Sequence, residues 1–98
     1  MPAYVVVDIE VTNPTDYARY KDLAGAAVEK HGGRYLARGG KTDVLEGSWQ
    51  PKRFVILEFP SVEKAKAWWA SSEYAEAKSI RQKAAKTSLV VVEGVSAR

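Results

Sequence analysis

Residues 3–11, AYVVVDIEV, place Val5, Val7, Ile9 and Val11 on one side and Tyr4, Val6, Asp8 and Glu10 on the other. That period of two predicts a strand. Asn13-Pro14 ends it: Asn13 can cap a helix, Pro14 suits the first helical position, and Asp16 lies near the positive end of the helix dipole. Tyr17, Tyr20, Leu23, Ala24, Ala27 and Val28 then recur at spacings of three and four. A helix is predicted over 14–31, stopped by Gly32-Gly33.

RYLAR (34–38) has strand character, Gly39-Gly40 breaks it with a bulge or turn, and TDVLEG (42–47) resumes an extended path. These pieces read as an interrupted second strand. A loop through Gly47, Ser48, Trp49 and Pro51 leads into RFVILEF (53–59), a third strand apolar on both faces. Ser61 is placed to cap a second helix, in which Val62, Ala65, Trp68 and Trp69 form an inward stripe. Ser71-Ser72 marks a kink or restart, after which Tyr74, Ala77, Ile80, Arg81 and Ala84 share a face. SLVVVEGV (88–95) is the last strand.

The order β-α-β-β-α-β predicts an α+β ferredoxin-like sandwich, an antiparallel four-stranded sheet with both helices on one face. The last two strands are apolar on both sides, with Phe54 and Ile56 backing Val55, Leu57 and Phe59, and Val90 and Val92 backing Leu89 and Val91. Helices on one face leave the other uncovered. A homodimer through the sheet face is the simplest cover.

At 98 residues the chain makes one domain, and 46% hydrophobic with 28% charged residues excludes a disordered tail, a collagen-like chain and a coiled coil. The absence of cysteine removes disulfides, thiol catalysis and thiolate zinc sites, and a single His removes a polyhistidine metal site, so no metal is expected. No apolar run approaches the roughly 18 residues of a membrane span, and the start MPAYVVVDIEV lacks a basic leader region; the expected location is the cytoplasm, with no membrane partner. The net charge of +3 is too small to imply nucleic acid. KRFVILEF (52–59) superficially matches the RNA-recognition octamer, but the small central residues are missing and Val55 and Leu57 stand where stacking rings belong. Neither glycine pair lies between a strand and a following helix, so no dinucleotide loop and no cofactor is expected.

Taken together, HGGRYLARGG (31–40), VLEGSWQPKR (44–53), VILEFPSVEKAKAWWASSEY (55–74) and VVVEGV (90–95) closely resemble the bacterial family called domain of unknown function 1330, within the dimeric α+β barrel superfamily. The resemblance spans essentially the whole chain. It implies a ferredoxin-like protomer, a dimer packed through its sheets, and a small cleft between sheet and helices in each subunit. It implies no reaction, because that superfamily holds cofactor-free oxygenases, isomerases, decarboxylases, haem-handling enzymes and binding modules.

Several side chains could carry chemistry. His31 sits at the end of the first helix, as an acid, base or anion contact, or as a packed histidine bonded to a backbone carbonyl. Asp8 and Glu58 interrupt apolar strands that are neighbours in this topology; they could approach each other as general bases, or lie at a solvated rim or dimer interface. Arg38, Arg53 and Arg81, with Arg34, need either acidic partners such as Asp8, Glu46, Glu58 or Glu93, or an anionic ligand. Trp69 and Tyr74, with Trp49 and Trp68, could line an aromatic slot or fill the core, and Tyr17 and Tyr20 could place hydroxyls at a pocket rim. The favoured reading is a cofactor-independent acid–base enzyme acting on a small anionic or carbonyl metabolite. The alternative is a non-catalytic small-molecule-binding dimer or a structural, stress-related interaction dimer.

Overall fold

The computed structural model describes residues 1–95. Its elements run β1 (Ala3–Val11), α1 (Pro14–Lys30), β2 (Arg34–Arg38), β3 (Arg53–Phe59), α2 (Val62–Ala70), α3 (Ser72–Ala84) and β4 (Ala85–Glu93). The sheet order is β2-β3-β1-β4, and every neighbouring pair is antiparallel. This is the ferredoxin-like α+β fold. The core lies between sheet and helices, where Val5, Val7 and Ile9 of β1 and Val55, Leu57 and Phe59 of β3 meet Ala24, Ala27 and Val28 of α1, Trp68 of α2 and Tyr74 and Ala77 of α3.

Local chemistry sets the helix ends. The Asn13 side chain accepts from the Asp16 amide and Ser61 from the Lys64 amide, each meeting a donor that the first helical turn leaves free. Ser71 does two jobs: its hydroxyl donates to the Trp68 carbonyl at 2.7 Å and accepts from the Tyr74 amide at 3.2 Å. One serine therefore closes α2 and opens α3, so the second helical segment restarts rather than kinks. Gly32, at φ 77°, lets the chain leave α1 with the Gly33 amide bonded to the Val28 carbonyl.

Three expectations from the pattern need correction, and the choice between a bulge and a turn at Gly39 falls to the turn. The extended path predicted over 42–47 is no strand, and 40–52 carries no regular structure. The reason lies in the partner: β2 pairs with β3 from Glu58 to Val55, the Gly39 amide reaches the Phe54 carbonyl, and β3 begins at Arg53. A longer β2 would run out of strand to pair with. The bulge sits at Leu36, between the pairs Tyr35–Leu57 and Ala37–Ile56, and Gly39 supplies only a turn, at φ 72°. β4 starts at Ala85, three residues before the expected start at Ser88, because α3 ends against β1: Ala85 pairs with Val11, and the Thr12 and Asn13 amides both donate to the Ala84 carbonyl. Trp69 leaves the inward stripe and is 42% exposed, since Trp68 takes the inward direction one helical step earlier.

On the far face of the sheet, Tyr4, Val6, Phe54 and Ile56 are half-buried, while Val90 and Val92 of β4 are 60% and 51% exposed. Among the described residues no helix is long and apolar enough to cross a membrane.

Candidate functional site

Alternation along each strand decides which side chains reach the space under the helices. On β3, Arg53 shares a face with Val55 and Leu57, opposite Ile9. On β4, Thr87 shares a face with Ala85, Leu89 and Val91. On β2 a regular strand would send Tyr35 and Arg38 to opposite faces, because they are three apart. The bulge at Leu36 adds one residue and brings both to the helix side, where the Arg38 guanidinium lies 4.2 Å from the Tyr35 ring centre.

Two cavities occupy this space. The outer one, about 510 Å³, lies between α2–α3 and β4 and is lined by Trp69, Lys66, Gln82, Thr87, Leu89 and Val91 among others. The inner one, about 20 Å³, lies under α1 and α3 and is ringed by Tyr17, Tyr20, Tyr35, Tyr74, Arg38 and Arg53. Trp68, Arg81 and Leu89 border both, so they form the partition between them.

Arg81 governs this site. It is 3% exposed, the only charged side chain fully buried among the described residues, and it forms no ion pair there. Its Nε, the Trp68 Nε1 and the Thr87 Oγ1 are buried without a hydrogen-bond partner, and all three belong to residues that line the outer cavity. Each such group costs about 1–3 kcal/mol. Against a total stability of about 5–15 kcal/mol for a domain, three of them beside one cavity are a large cost.

The other arginines divide sharply. Arg34 pairs with Glu58 at 2.7 Å on the far face of the sheet. Arg38 has no acidic partner among the described residues and donates to the Lys21 carbonyl at 3.1 Å, while Arg53 donates from Nε to the Tyr17 hydroxyl at 3.1 Å. Gly39 makes that last placement possible, since a side chain there would run into the Arg53 guanidinium. The Tyr20 and Tyr74 hydroxyls meet at 2.8 Å. Burial pushes both phenols, and that of Tyr35, above the ordinary tyrosine value, most strongly for Tyr20; the guanidiniums of Arg81 beside Tyr74 and Arg38 beside Tyr35 offset part of the effect.

The sequence-predicted binding residues thus converge: Arg81 and Trp69 line the outer cavity, and Arg38, Arg53, Tyr17, Tyr74 and again Arg81 line the inner one. The three proton carriers do not join them. His31 closes α1, with Nδ1–H donating to the Ala27 carbonyl at 3.0 Å and Nε2 lying 3.6 Å from Glu73. Asp8 accepts from Trp49 Nε1 and the Lys52 amide, both at 2.9 Å, and so pins the 40–52 loop. The expected approach of Asp8 to Glu58 fails on register, because Asp8 pairs with Phe54 and Glu58 with Tyr4, four positions apart along the same strands. Thr87 and the Trp68 indole N–H escaped the sequence reading. Thr87 is the one polar residue in the alternation Ala85, Thr87, Leu89, Val91, a signal that appears once β4 is started at Ala85.

Fold and site together define a ferredoxin-like domain with a basic, aromatic-walled cleft between sheet and helices. The family model of a domain of unknown function, DUF1330, matches residues 2–95, and the chain belongs to that family. No functionally curated protein matches it. Among solved structures, a protein of unknown function from Rhodopseudomonas palustris is 22% identical, with a TM-score of 0.77 over 98% of this chain and 84% of that one. A dimeric ferredoxin-like protein of unknown function from Jannaschia sp. is 14% identical, with a TM-score of 0.66 over 96% of this chain and 100% of the other. SnoaB, a cofactor-independent oxygenase from Streptomyces nogalater, is 7% identical, with a TM-score of 0.64 over 98% and 95%. At these identities the likeness is one of fold.

Proposed function

We propose that this protein binds a small organic carboxylate in the outer cavity, with Arg81 as its counter-charge, and acts on it without a cofactor. One observation carries the reading: Arg81 is buried at the cavity wall with no acidic partner among the described residues. A carboxylate there would pair with the Arg81 guanidinium, while Trp69, Leu89 and Val91 take an apolar body. Arg38, Arg53, Tyr17 and Tyr74 back this arrangement from the inner cavity. The fold shared with SnoaB supports chemistry without a cofactor, by analogy alone.

The far sheet face supports a homodimer in the same reading, because Val90 and Val92 are exposed beside the half-buried Val6 and Ile56, an apolar patch only partly covered by the described residues. The dimeric neighbour from Jannaschia sp. agrees with this.

A thermal-shift panel of small carboxylates, phosphates and neutral carbonyl compounds tests the proposal on wild type and Arg81→Met. Carboxylates at about 100 times their dissociation constant should add about 2.7 kcal/mol to the wild type and nothing to the variant. Stabilisation by neutral carbonyls alone, or no stabilisation by any compound, overturns it. Binding of a stabilising carboxylate with no conversion in a product assay leaves a binding protein and removes the catalytic half of the proposal.

A further inference from the structure

The inner cavity has a composition that the outer one does not explain. Its polar lining consists of four tyrosines, three arginines, Lys21 and the Trp68 indole, with no carboxylate, histidine or amide side chain. Three arginines line one small space, the buried Arg81, the half-buried Arg53 and the exposed Arg38, and none of them has an acidic partner among the described residues.

The proton count points the same way. Tyr20 and Tyr74 carry two hydroxyl protons and share one mutual bond, so one proton is left to donate elsewhere. The Tyr17 oxygen accepts from Arg53 Nε, which leaves the Tyr17 proton free as well. Arg81 Nε, in the partition, has no acceptor. A volume of about 20 Å³ admits one water-sized group. A water there would meet an excess of donors. The complement of this lining is a single negatively charged acceptor atom.

We infer that the inner cavity is a one-atom anion site, filled either by a halide ion from solution or by the oxygen of a ligand that reaches past Arg81 from the outer cavity. The second source rests on the proposed carboxylate reading; the first stands without it. Burial suits the role, because phenols held un-ionised remain donors to an anion.

Diffraction at the bromine absorption edge from crystals of the whole chain soaked in sodium bromide tests the inference. The expected result is an anomalous peak in the inner cavity, within hydrogen-bond reach of a tyrosine hydroxyl and of Arg81 or Arg53. A second soak adds benzoate: a bromide peak that persists identifies the halide as occupant, and one displaced by a benzoate oxygen identifies the ligand. Arg53→Met, which removes a half-buried guanidinium at the cavity wall, should weaken bromide binding about tenfold in a concentration series. No inner peak in the bromide soak, or a water refined there with full occupancy, overturns the one-atom anion site. That failure is separate from failure of the carboxylate reading, which the thermal-shift panel decides without halide.

Discussion

Tyr20 on α1 and Tyr74 on α3 hold their hydroxyls 2.8 Å apart, with ring centres 6.4 Å apart in an edge-on arrangement, so the two helices are joined by a phenol pair beneath the surface. The pair has a consequence at alkaline pH. Burial raises both groups, and Tyr35, above the ordinary value near 10, so the folded chain keeps protons that the unfolded chain gives up. Their stabilisation is complete below about pH 10 and declines as pH rises from there towards the folded values. Absorbance near 295 nm, followed with circular dichroism, should show Tyr20, Tyr35 and Tyr74 ionising together with loss of structure. Ionisation of all five tyrosines well before unfolding would contradict this.

Arg81 is placed for a ligand at the expense of the ligand-free fold. Arg81→Met removes a buried charge that has no acidic partner among the described residues and keeps most of the packing volume, so it should raise ligand-free stability by about 1–3 kcal/mol. In a domain this small that is a rise in Tm of several degrees. A fall in Tm would show that Arg81 has a structural partner within the protein.

The far face of the sheet should govern assembly. Val90→Glu places a charge on the exposed apolar patch of β4 without touching the inward core, so sedimentation equilibrium should show a dimer for the wild type and a monomer for the variant. Equal masses for the two would argue against association through this face.

Asp8 holds the 40–52 loop through Trp49 and Lys52. Asp8→Ala should free the loop at a cost of about 1–2 kcal/mol, visible as faster proteolytic cleavage within 40–52 and a shifted Trp49 emission. Unchanged cleavage would mean that the edge contact between Trp49 and Phe54 suffices.

Most of the fold was legible because β1, β3, α1 and the two caps Asn13 and Ser61 each carry local signals that agree with the global arrangement. What escaped the pattern depends on long-range pairing. The end of β2 is set by where β3 begins, and the start of β4 by a carbonyl of Ala84 that accepts from two amides after β1. The site divides in the same way. Arg38, Arg53 and Arg81 could be marked as arginines on inward lattices, but the bulge at Leu36 that turns Arg38 inward has no glycine to announce it. His31, Asp8 and Glu58 stood out as polar residues in apolar surroundings, and each proves to be bonded to a nearby backbone or side-chain group. Composition identifies such residues; only register reveals whether their partners are already present.

On the proposed reading a carboxylate in the outer cavity pairs with Arg81, beside the unmet N–H groups of Arg81 and Trp68. The direct measurement is the proton–nitrogen NMR correlation spectrum of the Arg81 Nε–H and Trp68 Nε1–H groups during titration with benzoate, and in parallel with neutral benzamide. Both resonances should show saturable downfield shifts with benzoate and none with benzamide. If both resonances stay fixed while benzoate binds elsewhere, or if benzamide moves them equally, the claim that this cavity is a carboxylate site is wrong.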